Sequence, residues 1–333
     1  MKKLFLSLVA VMIAATATFA QSSLVATLSH NGEISVFHGA SSLKQAMEAA
    51  THGDIITLAS GRYEAANITK AVTLRGAGME EDSITGAFRT QIVGDFNINI
   101  EEATDNHLTI EGVYHENTIT TYGTLTNTML QKSRFGRIVV SDWGNTVNSL
   151  TCIHCYIANT IQMPKNCSAN FINSVIQWPD NSLGGNMEFT NCMINDFAGY
   201  INNSFFTNCL FNLWNVGSSG LNGSNMASYC AGWWYNGNPF NNIPSTTNKG
   251  ISKDEFTAML APNPNDRLSD IYRLTDEAKK TYVGNDGTEM GIYGGNLPWD
   301  IRILSPQITK CNVAAKTTAD GKLSVDIEVK AAE

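Results

Sequence analysis

A four-residue pattern recurs about every twenty residues through the middle of this chain. It reads Lys132-Ser133-Arg134-Phe135, His154-Cys155-Tyr156-Ile157, Asn173-Ser174-Val175-Ile176, Asn191-Cys192-Met193-Ile194 and Asn208-Cys209-Leu210-Phe211, with a looser copy at Glu111-Gly112-Val113-Tyr114. The second positions fall at 112, 133, 155, 174, 192 and 209, so the intervals are 21, 22, 19, 18 and 17 residues. A weaker copy passes through Ser228 to Cys230. A unit this short cannot bury its own apolar face, so it must stack on its neighbours in a solenoid.

The residues around the pattern say what kind of solenoid. Three positions before the small residue stand Leu130, Cys152, Phe171, Phe189 and Phe206, and two positions after it stand Phe135, Ile157, Ile176, Ile194 and Phe211. A straight strand alternates its faces, so these two sets belong inside together only if the chain bends between them. Asn, the residue before the small one in three consecutive copies, tolerates the left-handed backbone such a bend requires. Two short strands joined by an Asn turn describe one coil of a right-handed parallel β-helix, an all-β fold. Stacking then predicts two interior columns, one of Cys155, Ser174, Cys192 and Cys209, the other an asparagine ladder of Asn173, Asn191 and Asn208. At a coil spacing of about 4.8 Å the amides of that ladder are expected to bond from coil to coil.

Composition agrees. Only 16% of the 333 residues are charged, against about 25% in typical domains. There are 34 Asn and 27 Gly, and 22 of the Asn lie between Asn145 and Asn248. That excludes a coiled coil or helical bundle, while 14 Phe, 10 Tyr and 6 Trp exclude a disordered chain. Lys2 and Lys3, the apolar run Leu4–Ala15 and the small residues around Thr18-Phe19-Ala20 read as a signal peptide over residues 1–20. Export is therefore expected, to the periplasm, the cell surface or beyond, with no membrane span. Removal of the two signal lysines takes the net charge from −8 to −10, and with no basic cluster this argues against nucleic acid as a partner.

Ser42–Ala50, Gly53-Asp54-Ile55-Ile56-Thr57-Leu58, Gly61-Arg62-Tyr63, Ile68-Thr69-Lys70 and Val72-Thr73-Leu74-Arg75-Gly76 together resemble the opening of pectin-lyase-like right-handed β-helix proteins. In that superfamily a short helix caps the first coil. Ser41 or Ser42 suits its N-cap here, and Leu43, Ala46, Met47 and Ala50 form its apolar stripe. Asp286-Gly287-Thr288-Glu289-Met290-Gly291-Ile292-Tyr293-Gly294-Gly295 resembles the closing motif of exported bacterial members. The expected organisation is a hairpin over 21–40 turning at Asn31-Gly32, a β-helix over 41–300 and a β tail over 301–333, read as a hairpin around Asp320-Gly321. Residues 236–270, with a helix from Ser252 to Leu260, are expected to cross the open end of the stack.

The resemblance implies a fold more than an activity, since the superfamily includes lyases, hydrolases, esterases and non-enzymes. Its lyases gather carboxylates around calcium beside a Lys or Arg base. The only acids here after residue 117 in the repeat are Asp142, Asp180, Glu188 and Asp196, in different columns, with Lys132, Arg134, Arg137 and Lys165 as nearby bases. The esterase motif Gly-x-x-Asp-Phe-Ile-Phe-Gly and the hydrolase pattern Asn-x-Asp with Asp-Asp are absent. Glycosidase chemistry needs two facing carboxylates, for which Asp180 and Asp196 are the nearest approach. The six His are scattered, and His154 stands in the turn column as a substitute for Asn. Cys152-Ile-His-Cys155 has metal or redox spacing without the second half of a zinc site, and the glycines around Asn285-Asp286-Gly287 read as turns rather than a calcium loop. Neither metal nor cofactor is expected.

Aromatic residues carry the remaining signal. Trp178 and Trp214 are expected on one edge two coils apart, with Trp143 on an earlier coil and Trp233-Trp234-Tyr235 near the end. Aromatic faces stack on sugar rings, and Asn amides match hydroxyl groups. The competing reading packs these Trp under loops. The sequence is read as an exported, non-catalytic β-helix that binds a polysaccharide, a cell-surface glycan or another surface partner along its side, with Trp143, Trp178 and Trp214 as the candidate carbohydrate contacts. The alternatives are a polysaccharide-degrading enzyme with a divergent site, and a structural or adhesive scaffold. Catalytic residues and oligomeric state are left open.

Overall fold

The computed structural model describes residues 24–81, 88–100, 107–123, 128–140, 149–164, 167–180, 185–197, 201–214, 221, 223–243, 245–303, 307–313, 321–322 and 325–330. The signal peptide, Asp142, Trp143 and Lys165 lie outside the described residues. Strands β1 (Val25–His30) and β2 (Glu33–His38) pair antiparallel. Asn31 and Gly32 turn between them at φ 50° and 87°, the left-handed pair a two-residue hairpin needs. Helix α1 (Ser42–Ala49) follows, with Leu43, Ala46, Met47 and Ala50 buried in the main core. Ser41 occupies its N-cap without a capping bond, its Oγ instead accepting from Gln45 Nε2 at 3.0 Å.

Beyond this cap the chain winds through about eight turns of the right-handed parallel β-helix that the repeat predicts. Each coil gives one strand to each of two eleven-stranded sheets. Register is regular in the first sheet, where Leu130, Cys152, Phe171, Phe189 and Phe206 pair in succession. Both apolar positions of each repeat are buried, and the bend between them is the expected one. Lys132, His154, Asn173, Asn191, Asn208 and Tyr229 all have φ between 45° and 58°. The earliest copy shifts by one residue. Glu111 pairs with Gln131, so Gly112, at φ 67°, is the turn residue and Val113 takes the small position.

Inside, the rings of Phe171, Phe189 and Phe206 stack at 4.8 and 4.7 Å between centroids. The small column is a hydrogen-bonded one. Ser174 Oγ accepts the Cys155 N–H at 3.0 Å, Cys209 Sγ that of Cys192 at 3.4 Å, and Cys230 Sγ that of Cys209 at 3.4 Å. Asn248 Oδ1 ends the series on the Cys230 N–H at 3.1 Å. Cys152, Cys155, Cys167, Cys192, Cys209 and Cys230 are all buried. Burial pushes the thiols of Cys152, Cys209 and Cys230 well above their usual range, which suits packing and hydrogen bonding rather than nucleophilic chemistry.

The C-terminal third departs from expectation. Residues 237–250 do close the end of the stack: Phe240 meets Phe211 edge-on at 5.5 Å, Ile243 joins the core and Lys249–Gly250 adds a last strand. From residue 251 the chain turns back along the outside of the second sheet. Helix α2 (Lys253–Met259), capped by Ser252 Oγ on the Glu255 N–H at 3.1 Å, packs there and not across the end. Helix α3 (Asp276–Thr281) follows on the same face. Phe256, Met259, Leu274, Ala278, Met290, Ile292 and Trp299 form a second core with Val175, Met193, Leu210 and Ala231, the outward residues that open successive strands of the sheet. The cause is that apolar row, which water would otherwise wet. The return reaches the early coils, where Leu268 N and Ser269 N donate to the Glu80 carboxylate at 2.8 and 3.3 Å. Residues Arg302–Glu333 form a separate compact unit in which Gln307–Val313 and Val325–Lys330 pair as an antiparallel hairpin.

Candidate functional site

The turn column is occupied by the protein itself. Asn173 Nδ2 donates to Ile292 O at 2.8 Å and Gly294 O at 2.7 Å, and Asn208 Nδ2 donates to Asn285 Oδ1 at 2.9 Å. Asn285 N returns a bond to Asn208 Oδ1 at 2.9 Å. His154 Nε2 lies 2.9 Å from Leu297 O, and its ring meets that of Trp299 in a T-shaped contact. These amides thus hold residues 285–297 against the coils, in place of the expected bonding between themselves. Closeness decides one residue of that segment. Gly295 has φ 75°, and a side chain there would place its Cβ 2.2 Å from Asn191 Nδ2.

An amide ladder does exist, four residues further along each coil, in or just past the strands of the second sheet. Trp233 Nε1 donates to Asn212 Oδ1 at 2.7 Å, Asn212 Nδ2 to Asn195 Oδ1 at 3.0 Å, and Asn195 Nδ2 to the Tyr272 hydroxyl at 2.8 Å. Burial pushes the Tyr272 hydroxyl up to about 12, so it remains a protonated partner. Sequence reasoning missed these residues because the repeat was compared only as far as two positions past the small column. Asn195 and Asn212 sit at +3 from Cys192 and Cys209, a shared spacing that would have revealed them.

The tryptophans divide. Trp233 is buried, as the packing alternative has it, and so is Trp299, whose place the sequence left unread and whose Nε1 donates to Leu268 O at 2.8 Å. Trp214 is 50% exposed and Tyr235 60%. Leu213 pairs with Trp234 and Tyr235 N donates to Leu213 O at 2.8 Å, so Trp214 and Tyr235 follow side by side on neighbouring coils. Trp178 is half-buried and pairs with Thr160. Ile176, Ile194 and Phe211 are paired in turn, which sets Trp178 level with Leu213, one position short of Trp214. The two therefore do not share a row.

Beside Trp178 runs a polar relay across three successive coils. Arg137 Nη2 donates to Gln162 Oε1 at 2.6 Å, and Gln162 Nε2 donates to Asp180 Oδ2 at 3.3 Å. Bulges in the strand pairing at this level splay the outward side chains. Higher up, Arg89 lies over the Tyr114 ring at 3.6 Å, and Arg134 lies between Tyr114 and Tyr156 at 5.2 and 5.0 Å. Asp196, by contrast, is buried at φ 75°, its Oδ1 accepting the Phe197 N–H at 3.0 Å. Asp180 and Asp196 therefore hold different partners. Among the described residues no cluster of three or more His, Cys, Asp or Glu could hold a metal ion, and no helix is long and apolar enough to cross a membrane.

This surface presents exposed aromatic faces at one end and a guanidinium–amide–carboxylate relay at the other. No family model matches the chain, and neither a curated protein nor a solved structure is recognisably similar to it. The molecule is defined by its architecture, a parallel β-solenoid with its own C-terminal segment bound along one side.

Proposed function

We propose that this is an exported, non-catalytic β-helix of the pectin-lyase-like type that binds a glycan along the exposed edge of its second sheet. The observation that carries the proposal is the pair Trp214 and Tyr235, two largely exposed aromatic rings on adjacent coils. Water-exposed aromatic area is costly unless a ligand covers it, and a sugar ring offers an apolar face of matching size. The relay of Arg137, Gln162 and Asp180 beside Trp178 supplies paired donors and acceptors for hydroxyl groups. Low charge favours a neutral glycan. The sequence supports export through residues 1–20, and the mature chain should begin at Gln21 by mass spectrometry.

Affinity electrophoresis and a glycan array test the reading. Trp214→Ala with Tyr235→Ala should weaken retention by about tenfold or more, and Trp178→Ala by less. Retention unchanged in the double variant removes the aromatic platform. Release of unsaturated or reducing sugar from a polysaccharide panel would instead establish an enzyme.

A further inference from the structure

The two ends of the solenoid are treated differently. The C-terminal end is closed by Phe240, Ile243 and the Lys249–Gly250 strand. At the N-terminal end β2 is the outermost strand of the first sheet, and every one of its residues is at least partly exposed. Gly39 N donates to Leu24 O at 2.9 Å. Because bonded pairs alternate along an antiparallel ladder, Phe37, Ser35 and Glu33 turn their backbone groups to β1. Ile34, Val36 and His38 turn theirs to the open edge. Such a row templates another strand, and proteins blunt it with lysine, proline, bulges or covering segments. Strand β2 has no Lys or Pro, and its pairing with β1 runs without a bulge. Two side chains on one face of it are exposed and apolar, Ile34 at 70% and Val36 at 52%, with His38 next in that row.

We propose that β2 pairs antiparallel with β2 of a second copy of this chain, across a two-fold axis at Ser35. In that register Ile34 opposes the partner's Val36 and Val36 opposes the partner's Ile34. The residues so matched are those whose N–H and C=O already face outward, so the ladder closes with mutual hydrogen bonds. The four apolar side chains gather on one face, in the cross-strand pairing that stabilises sheets. Glu33, the only acid of the strand, opposes the partner's Phe37, so no like charges meet. The self-complementary strand selects a closed dimer rather than an open filament.

Sedimentation of the mature full-length chain across a concentration series reads the association directly. Val36→Lys and Ile34→Lys should each raise the dimer dissociation constant by about tenfold or more while leaving the thermal midpoint of the monomer unchanged. Ser35 meets the partner's Ser35 at the axis, close enough for a disulfide. Ser35→Cys should therefore cross-link under mild oxidation much faster than Lys44→Cys, and Val36→Lys should abolish that cross-link. A monomer at every concentration, a dimer indifferent to both lysine variants, a ladder of higher oligomers, or equal cross-linking at positions 35 and 44 would each overturn the proposal.

Discussion

An asparagine at position 173 meets two demands at once: it adopts φ 45° and its amide holds two carbonyls of the return segment. Glycine satisfies only the first demand, and alanine neither. Asn173→Gly should cost about 2 kcal/mol and Asn173→Ala about 3, from lost hydrogen bonds plus left-handed strain in the alanine variant. Urea unfolding would check the order, and equal losses would show that the backbone angle is unimportant. His154, at the corner of the preceding coil, adds pH dependence. Burial, with Lys132 nearby, lowers its pKa below the ordinary value. The native state therefore binds this proton less readily than the unfolded chain does. Stability should be at its full value above about pH 6.5 and decline as pH falls below it. In His154→Asn, which installs the residue used by the next three repeats, the urea midpoint should change less between pH 7 and pH 5.

Among the elements, the small column makes the sharpest comparison. Cys209→Ser should stay within about 1 kcal/mol of the parent, since Ser174 plays the same role two repeats earlier, whereas Cys209→Val leaves the Cys192 N–H unpaired and should cost about 1–3 kcal/mol. Thiol labelling should be slow in the native state at Cys155, Cys192 and Cys209 and fast in denaturant. Rapid native labelling would contradict their burial. This column, the corner and the two strands were legible from sequence because interior positions restrict residue size and backbone angle in every coil. The return segment was not, although its cause is written in the repeats. Val175-Ile176, Met193-Ile194 and Leu210-Phe211 each place two apolar residues in succession, and a strand apolar on both faces is covered on both. The candidate site was only half legible. Trp214 was found, but its neighbour is Tyr235 rather than Trp178, because Trp178 stands four residues after its small residue and Trp214 five, and the regular pairing from Ile176 to Phe211 preserves that offset.

For the whole molecule, the contact between Glu80 and Leu268 spans 188 residues. A plain repeat array unfolds piecewise, each unit leaning on its neighbours alone. Here a single segment lies across the outward faces of many coils, so chemical unfolding followed by far-UV circular dichroism and by Trp fluorescence should give coincident transitions. A variant ending at Gly250 should lose that coincidence and bind a hydrophobic dye. The same contact sets a time order. Synthesis proceeds from the N-terminus, so every coil is complete before the residues that shelter its flank have been made. Until the last quarter of the chain emerges, Val175, Met193 and Leu210 stand bare, so the nascent protein carries an uncovered apolar row during that interval.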